Sequence, residues 1–374
     1  MRHIIEGELG IIAMKGCEET AQKICGFLRN WREPAHQGRL IPSNCPRFGS
    51  GEAKGTIQQT VRGKDIFILT DVFNHGITYQ MYGQQVPMSP DDHFQDLKRI
   101  ISALGGKAHR ITVIMPMLYE GRQHKRTGRE SLDCAMALQE LENMKVSNIV
   151  TFDAHDARVQ NAIPLSGFDN LQPTYQMLKA LLRCYPDLSL QPDCTMIVSP
   201  DEGGMQRCMY YASVIGLELG TFYKQRNYSV VVDGKNPIVA HRFLGADVKG
   251  KDVIIVDDMI SSGESILDVA QSLKGMGARR IFIFATFGLF CNGLEEFDRL
   301  YSQQVFTKIF TTNLIYRTPE LKQREWYCEV ELSKYLAYVI DALNRDCTLS
   351  EIFNPYAKIK NLLEAHAQQL AQNQ

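Results

Sequence analysis

Six stretches of the chain set acids, bases or an imidazole directly after runs of branched apolar residues, as polar side chains fall at the ends of buried strands. They are Asp71 after "IFILT", Tyr119 to Arg126 after "VIMP", Asp153 and His155 in "FDAHD", Asp201 with Gly203 and Gly204 in "SPDEGG", Lys224 and Arg226 in "KQR", and Asp257 and Asp258 in "VIIVDDMISSGES". Ligands of parallel sheets bind beyond the carboxyl ends of the strands, where loops and helix N-termini offer free N–H groups and positive dipole ends. In the last stretch, Ser261, Ser262, Gly263 and Ser265 let backbone N–H groups and hydroxyls converge at a helix start, a phosphate cradle without the lysine of a P-loop. Asp257 and Asp258, ending the strand ahead of it, cannot face a phosphate but suit the hydroxyls of a sugar attached to one. The plainer alternative is an N-cap, with a serine as cap and the acids favouring the helix dipole.

Asp153, His155 and Asp201 form a set of hard oxygen donors with one imidazole, which suits Mg²⁺ bridging a polyphosphate. A lone histidine on a strand is more often a satisfied structural residue, but the neighbouring acids and the strand end favour the ligand reading for His155. Arg122, Lys125, Arg126 and Arg129 crowd into eight residues, and Lys125 and Arg129 read as a solvated basic face. Lys224 and Arg226 follow a buried strand and precede a long loop able to close over a substrate and exclude water.

The elements that must position these residues alternate. β-branched runs ("GIIAMKG", "DIFILTD", "RITVIMP", "NIVTFDAHD", "CTMIVSPDEGG", "GTFYK", "DVIIVDD", "RRIFIFATFG") are separated by stretches of helical period, which predicts βαβ units and a largely parallel sheet. "IISALGGKAHRITVIMP" and "VAQSLKGMGARRIFIFATFG" share an order of helix, glycine turn, basic residue and strand, a hint of two similar halves divided near residue 168, with "AIPLSGFDNLQPTYQ" as the crossover. Residues 74–90 and 225–250 read as long loops, and "YCEVEL", "SKYLAYVIDALN" and a polar tail close the chain.

A length of 374 residues suggests two α/β units, and 44% hydrophobic with 22% charged residues is a globular composition. A formal net charge of -1 removes the electrostatic case for nucleic acid or a membrane surface as partner, so an anionic ligand must be held by local charge. The ten cysteines show no CxxC pair or zinc spacing and read as free thiols of a cytoplasmic, soluble protein, in which Glu6 and Glu8 interrupt any signal core.

The stretch "VIIVDDMISSGES" resembles the ribose-phosphate loop of the type I phosphoribosyltransferase fold. Around it "RFGSGE", "TVRGKDIFIL", "YEGRQHKR", "IVTFDAHDARVQ", "FDNLQP", "VSPDEGGMQR", "VKGKDVIIVDDM" and "TLSEIF" stand in the order found in ribose-phosphate pyrophosphokinases, from about residue 8 to 355. The resemblance implies two similar type I phosphoribosyltransferase-like α/β domains with largely parallel sheets and the active site between them. One is an ATP-side domain over 1–168 joined by a C-terminal helix 348–374, the other a ribose-phosphate domain over 169–347. It implies transfer of the β,γ-diphosphoryl group of ATP to ribose 5-phosphate with Mg²⁺, in a homo-oligomer built from dimers, with a hexamer as the larger assembly. By the same resemblance His155 and Asp201 are Mg²⁺ ligands with Asp153 near a second metal position. Arg122, Gln123 and His155 contact ATP, and Phe48 and Glu52 reach a neighbouring subunit's adenine. Lys224 and Arg226 form the catalytic pair of a flexible loop; Asp257 and Asp258 hold ribose hydroxyls, and Ser261, Ser262, Gly263 and Ser265 surround the 5-phosphate. The chain departs from the family pattern at Ser50, where an Asp is common, at His124–Arg126, at Ser261 and Glu264, and in an insertion over 74–90.

Two other readings stay open on the sequence. A phosphoribosyltransferase that consumes PRPP would share the loop but needs neither a second α/β unit nor "GRQ" and "FDAHD". A non-catalytic regulatory homologue would have no chemical need for the basic pair at Lys224 and Arg226.

Overall fold

Runs of Ile, Val, Leu and Phe too apolar for a one-sided sheet build two parallel sheets, each shielded on both faces. The structure, a computed structural model, describes residues 7–33, 37–226 and 238–372, and the chain divides into two compact units.

The first unit comprises residues up to 173 with 313–318 and 331–353. Along it run β1 (Glu8–Ala13), α1 (Glu18–Trp31), β2 (Arg39–Leu40), β3 (Ser43–Asn44), β4 (Thr56–Ile57), β5 (Lys64–Leu69), β6 (Thr78–Met81), β7 (Gln84–Pro87), α2 (Pro90–Leu104), β8 (Arg110–Ile114), α3 (Asp133–Asn143), β9 (Asn148–Phe152) and β10 (Gly167–Leu171). A six-stranded sheet in the order β10-β9-β8-β5-β1-β2 is parallel throughout. The start of α2 carries a capping box between Ser89 and Asp92, and its end is turned by Gly105 at φ +57°, the stop its sequence signals.

The second unit comprises 174–312, 319–330 and 354–374. It carries α4 (Thr174–Cys184), β11 (Thr195–Ser199), α5 (Met205–Ile215), β12 (Glu218–Arg226), β13 (Ile238–Leu244), β14 (Asp252–Ile260), α6 (Glu264–Gly275), β15 (Ile281–Gly288), α7 (Glu295–Ser302), β16 (Lys308–Thr312), α8 (Pro319–Lys322) and β17 (Tyr327–Val330). The seven strands lie in the order β13-β12-β11-β14-β15-β16-β17, antiparallel only where β12 meets β13. α9 (Ser333–Asn344) and α10 (Ser350–Phe353) return to the first unit, and α11 (Tyr356–Gln372) belongs to the second.

Four expectations change. The C-terminal segment does not join the first unit as one helix over 348–374: residues 331–353 belong there, while α11 packs on α4 and α5, with His366 Nε2 2.7 Å from the Leu188 carbonyl oxygen. The boundary falls after Pro173 rather than at 168, because Gly167–Leu171 pairs with β9 as an edge strand of the first sheet. Residues 74–90 hold the β6–β7 hairpin, and 238–244 of the second expected loop form β13, 227–237 lying outside the described residues. All ten cysteines are free, and no helix among the described residues is long and apolar enough to cross a membrane.

The two halves share a charge clamp where their strands begin. Asp65, fully buried on β5, pairs in register with Arg110 on β8 and accepts Arg110 Nε at 3.0 Å and Nη2 at 2.6 Å, with Asn344 Nδ2 at 2.8 Å. In the second unit Asp252, one residue before the first β14–β15 pair, accepts Arg279 at 2.8 and 2.6 Å and Arg280 at 3.2 and 2.7 Å. Burial pushes the Asp252 carboxyl up, but the two guanidinium groups outweigh it and hold the carboxyl below its ordinary value. The basic residue of the sequence repeat is thus the partner of an acid on the preceding strand. Removing one member of a buried pair costs about 3–5 kcal/mol, and Arg110 keeps Asp346 at 2.6 Å and the Leu343 carbonyl at 2.7 Å. Asp65→Ala therefore destabilises the first unit by about 3 kcal/mol, read as an earlier urea midpoint; an unchanged midpoint would show that the clamp carries no stability.

Candidate functional site

In the second sheet β11 passes through α5 to β12 on one side, and β14 passes through α6 to β15 on the other. The strand order reverses between β11 and β14, which opens a crevice at their carboxyl ends. β14 does not end on its two acids. It pairs with β11 only as far as Ile255 opposite Val198, but with β15 as far as Ile260 opposite Gly288, so Asp257 and Asp258 sit on strand that has outrun one neighbour.

Both carboxylates are largely withdrawn from water, the Asp257 side chain being 27% exposed and that of Asp258 5%. The Asp258 N–H donates to Asp257 Oδ1 at 2.9 Å, and the Met259 N–H to Asp258 Oδ1 at 3.0 Å. Arg207, in the first turn of α5, reaches both, with Nη1 3.7 Å from Asp257 Oδ1 and Nη2 3.9 Å from Asp258 Oδ2. Burial and the charge of Asp258 push the Asp257 carboxyl well above its ordinary range, and Arg207 pulls it back.

Behind the acids the chain turns into α6 at Gly263, whose φ of +92° is left-handed and whose Cβ, if present, would lie 2.3 Å from the Phe297 ring. Gly263 is the cap residue and offers no side chain to cap the helix. The loop is fixed from the rear, where Ile260 accepts the Leu289 N–H at 2.8 Å and Ser261 accepts the Cys291 N–H at 2.9 Å. The Ser262 hydroxyl oxygen accepts the Glu264 N–H at 3.4 Å, while Glu264 and Ser265 are exposed in the first turn.

Across the switch point Asp201 Oδ1 accepts the N–H groups of Gly203 at 2.9 Å and Gly204 at 3.2 Å, and its carbonyl accepts the Ser199 hydroxyl at 2.7 Å. Asp201 thus shapes the turn that launches α5 and aims Arg207. The backbone of Lys224 and Arg226 belongs to β12, and their side chains lie outside what is described.

In the first unit Asp153 is buried at φ +42°, its N–H donating to Leu171 at 2.8 Å, and the Ala154 N–H donates to Asn170 Oδ1 at 3.0 Å. These bonds from β10 set the path of "FDAHD". The His155 ring lies 5.3 Å from that of His124, whose Nε2 is 3.5 Å from Asp156 Oδ2. Asp156 is engaged by Arg158, whose guanidinium holds it well below the usual carboxylate range, and burial keeps His124 below its ordinary value. Arg122 is exposed and Gln123 half-buried beyond β8, in a turn where the Gln123 N–H donates to Glu120 at 2.8 Å; Lys125 and Arg129 are solvated, as expected.

Asp71 is not part of such a site. Burial pushes it up to about 6, and it accepts the N–H groups of Phe73 at 3.0 Å and Tyr316 at 2.6 Å, pinning residues 313–318 to β5. The "RFGSGE" stretch forms a tight turn in which the Phe48 N–H donates to Glu52 at 2.7 Å and the Gly51 N–H to Phe48 at 2.9 Å. Phe48 stands 55% exposed on it, and the Ser50 hydroxyl donates to Glu52 Oε2 at 2.9 Å. No group of three or more His, Cys, Asp or Glu side chains is gathered to hold a metal among the described residues.

Residues 9–144 match the model of the N-terminal domain of ribose phosphate pyrophosphokinase, and residues 176–314 match that of the phosphoribosyl transferase domain. A ribose-phosphate pyrophosphokinase of Vibrio parahaemolyticus is 27% identical over 319 residues, 84% of this chain and 92% of that protein. One from Burkholderia pseudomallei is 30% identical over 254 residues, 67% of this chain and 71% of that protein. The chain belongs to the ribose-phosphate pyrophosphokinase family. The fold agrees: the crystal structure of phosphoribosylpyrophosphate synthetase from Mycobacterium smegmatis matches with a TM-score of 0.74 at 23% identity, over 91% of this chain and 99% of that one.

Within this pyrophosphokinase fold, Arg207 and His124 are the residues to which sequence reading gave no role. Arg207 had a usable signal, since it follows a Gly-Gly helix start by three residues and so must lie in the first turn of α5. Arg207→Gln removes a cation that faces both acids and moves the Asp257 titration further up. A folded state that holds a proton the unfolded chain has released loses stability as pH rises from the unfolded value to the folded one, so the variant extends that loss to higher pH. Carboxyl carbon NMR titration of the two proteins checks the direction; coincident curves would separate Arg207 from the pair.

Proposed function

We propose that this pyrophosphokinase transfers the β,γ-diphosphoryl group of ATP to the anomeric hydroxyl of ribose 5-phosphate, releasing AMP and phosphoribosyl pyrophosphate. The supporting observation is the pairing, at the switch point of the second sheet, of a withdrawn carboxylate pair with a helix start whose cap residue is a left-handed glycine. One end suits the vicinal hydroxyls of a sugar and the other its phosphate. The match of residues 9–144 to the pyrophosphokinase N-terminal domain disfavours a simple PRPP-consuming transferase, which has no use for it.

In this reading the second unit is the acceptor side. Asp257 and Asp258 accept hydrogen bonds from the ribose hydroxyls, and Ser261, Ser262, Gly263 and Ser265 surround the 5-phosphate. The first unit is the ATP side, with Arg122, Gln123 and His155 toward the nucleotide and Phe48 and Glu52 toward the adenine bound by a neighbouring copy. An exposed Phe48 suits such a homo-oligomer. Asp153, His155 and Asp201 are the donors that would hold Mg²⁺; oxygen with one imidazole fits an ion that takes few protein ligands and completes its shell with water and substrate phosphates. When bound, it neutralises phosphate charge. The chain's own work is positioning and charge stabilisation: the acids fix the ribose so that its anomeric hydroxyl meets the β-phosphorus, and Lys224 and Arg226 meet charge that grows on the migrating group.

Phosphorus NMR of the protein with ATP, Mg²⁺ and ribose 5-phosphate will show AMP and phosphoribosyl pyrophosphate rising together. ATP binding without AMP would indicate a regulatory homologue, and ADP in place of AMP would indicate single-phosphoryl transfer. Lys224→Ala will cut kcat by about 100-fold or more with a modest change in KM, because the pair acts on the transition state. An unchanged kcat would remove Lys224 from the mechanism.

A further inference from the structure

The β6–β7 hairpin forms a two-stranded sheet of its own and has no part in the six- or seven-stranded sheet. Tyr82 and Gly83 join its strands with φ of +49° and +79°, the backbone of a tight primed turn. An isolated two-stranded hairpin is marginally stable in water, so what it leans on matters.

It leans on the turn that presents Phe48 and Glu52. The Tyr82 N–H donates to the Gly49 carbonyl at 2.9 Å. Met81 packs so closely on Gly51 that a Cβ there would lie 2.8 Å from its sulfur, and Gly51 has a φ of +94°. The Arg47 guanidinium, 2.9 Å from Asp96, lies 4.6 Å from the centre of the Tyr79 ring, and the Tyr79 hydroxyl is anchored at 3.3 Å to Asp92 on α2. At its base the hairpin is tied down by Asn74, whose carbonyl lies 2.9 Å from His93 Nε2, and by Met88, whose N–H donates to Ile77 at 2.8 Å. Between the roots of hairpin and turn lies a cavity of about 480 Å³ lined by Cys45, Arg47, Thr78, Tyr79, Met88 and Asp96 among others. Close packing is missing there, so the contacts at Gly49, Gly51 and Tyr79 carry the tie.

We propose that the β6–β7 hairpin is a brace that holds the Phe48–Glu52 turn in its nucleotide-binding position, with Tyr79 as its principal positioning residue. The inference rests on the ATP-side reading of Phe48 and Glu52. Its chemistry is preorganisation: a turn that spends a tenth of its time in the competent position binds about tenfold more weakly.

The test compares wild type with Tyr79→Ala, Tyr79→Phe and a variant whose residues 79–86 are replaced by a Gly-Gly turn. ATP affinity is read by calorimetry, and kcat with both KM values by AMP release. The brace predicts ATP Kd and KM raised about tenfold in Tyr79→Ala and in the excision variant, with kcat and the ribose 5-phosphate KM within about twofold. Tyr79→Phe keeps the ring under Arg47 and stays near wild type. An unchanged ATP Kd in Tyr79→Ala overturns the brace, as does a uniform fall in kcat and both affinities, the mark of a merely structural element. A wild-type protein that binds ATP but yields no AMP overturns the proposed reaction instead, and the calorimetric comparison still decides the brace. Should the excision variant fail to fold, Tyr79→Ala and Tyr79→Phe decide alone.

Discussion

Both sheets are shielded on both faces, and that single constraint sorts nearly every charge that matters. A carboxylate or guanidinium within such a strand has neither water nor space, so charges survive at strand ends and only with partners. At the amino ends they serve the fold. Asp65 with Arg110 and Asp252 with Arg279 and Arg280 clamp neighbouring strands in register, and their recurrence at matching places gives the two halves a shared frame. At the carboxyl ends lie the acids, bases and imidazole that the proposed reaction would use.

Asp257 and Asp258 are the sharpest case. Two adjacent acids, largely out of water, repel each other, and the guanidinium of Arg207 faces them at 3.7 and 3.9 Å, farther than the arginines at Asp252. That arrangement moderates the charge at Asp257. A closer arginine would have made another clamp like that at Asp252.

Much of this was legible because apolar runs and glycine stops report directly on parallel strands and their helices. β1, β5, β8, β9, β11, β12, β14 and β15 all fall on the runs read as strands. What escaped was specified by tertiary partners rather than local pattern. β6 and β7 are polar and mostly exposed, and they exist because Gly49 and Gly51 offer them a surface. β10 is a short edge strand of mixed residues, held by its pairing with β9. The tail assigned to the first unit settles on the second through contacts with α4 and α5 that no periodicity announces. For the candidate site, the acids and the serine-glycine loop could be read from their order, whereas the roles of Asp71 and Asp201 in pinning loops depend on backbone N–H groups from distant or turning chain.

The central claim is that the acid pair at the β11–β14 crevice reads the hydroxyls of a phosphorylated sugar. Calorimetric titration with ribose 5-phosphate and with 2-deoxyribose 5-phosphate, on wild type and Asp257→Asn, measures that contact apart from catalysis. One hydrogen bond to a charged acceptor contributes about 1.5–3 kcal/mol, so the wild type should bind the deoxy sugar about 10- to 100-fold more weakly, and Asp257→Asn should largely erase the difference. Equal affinity of the wild type for the two sugars, or a preference that survives Asp257→Asn intact, would contradict the account.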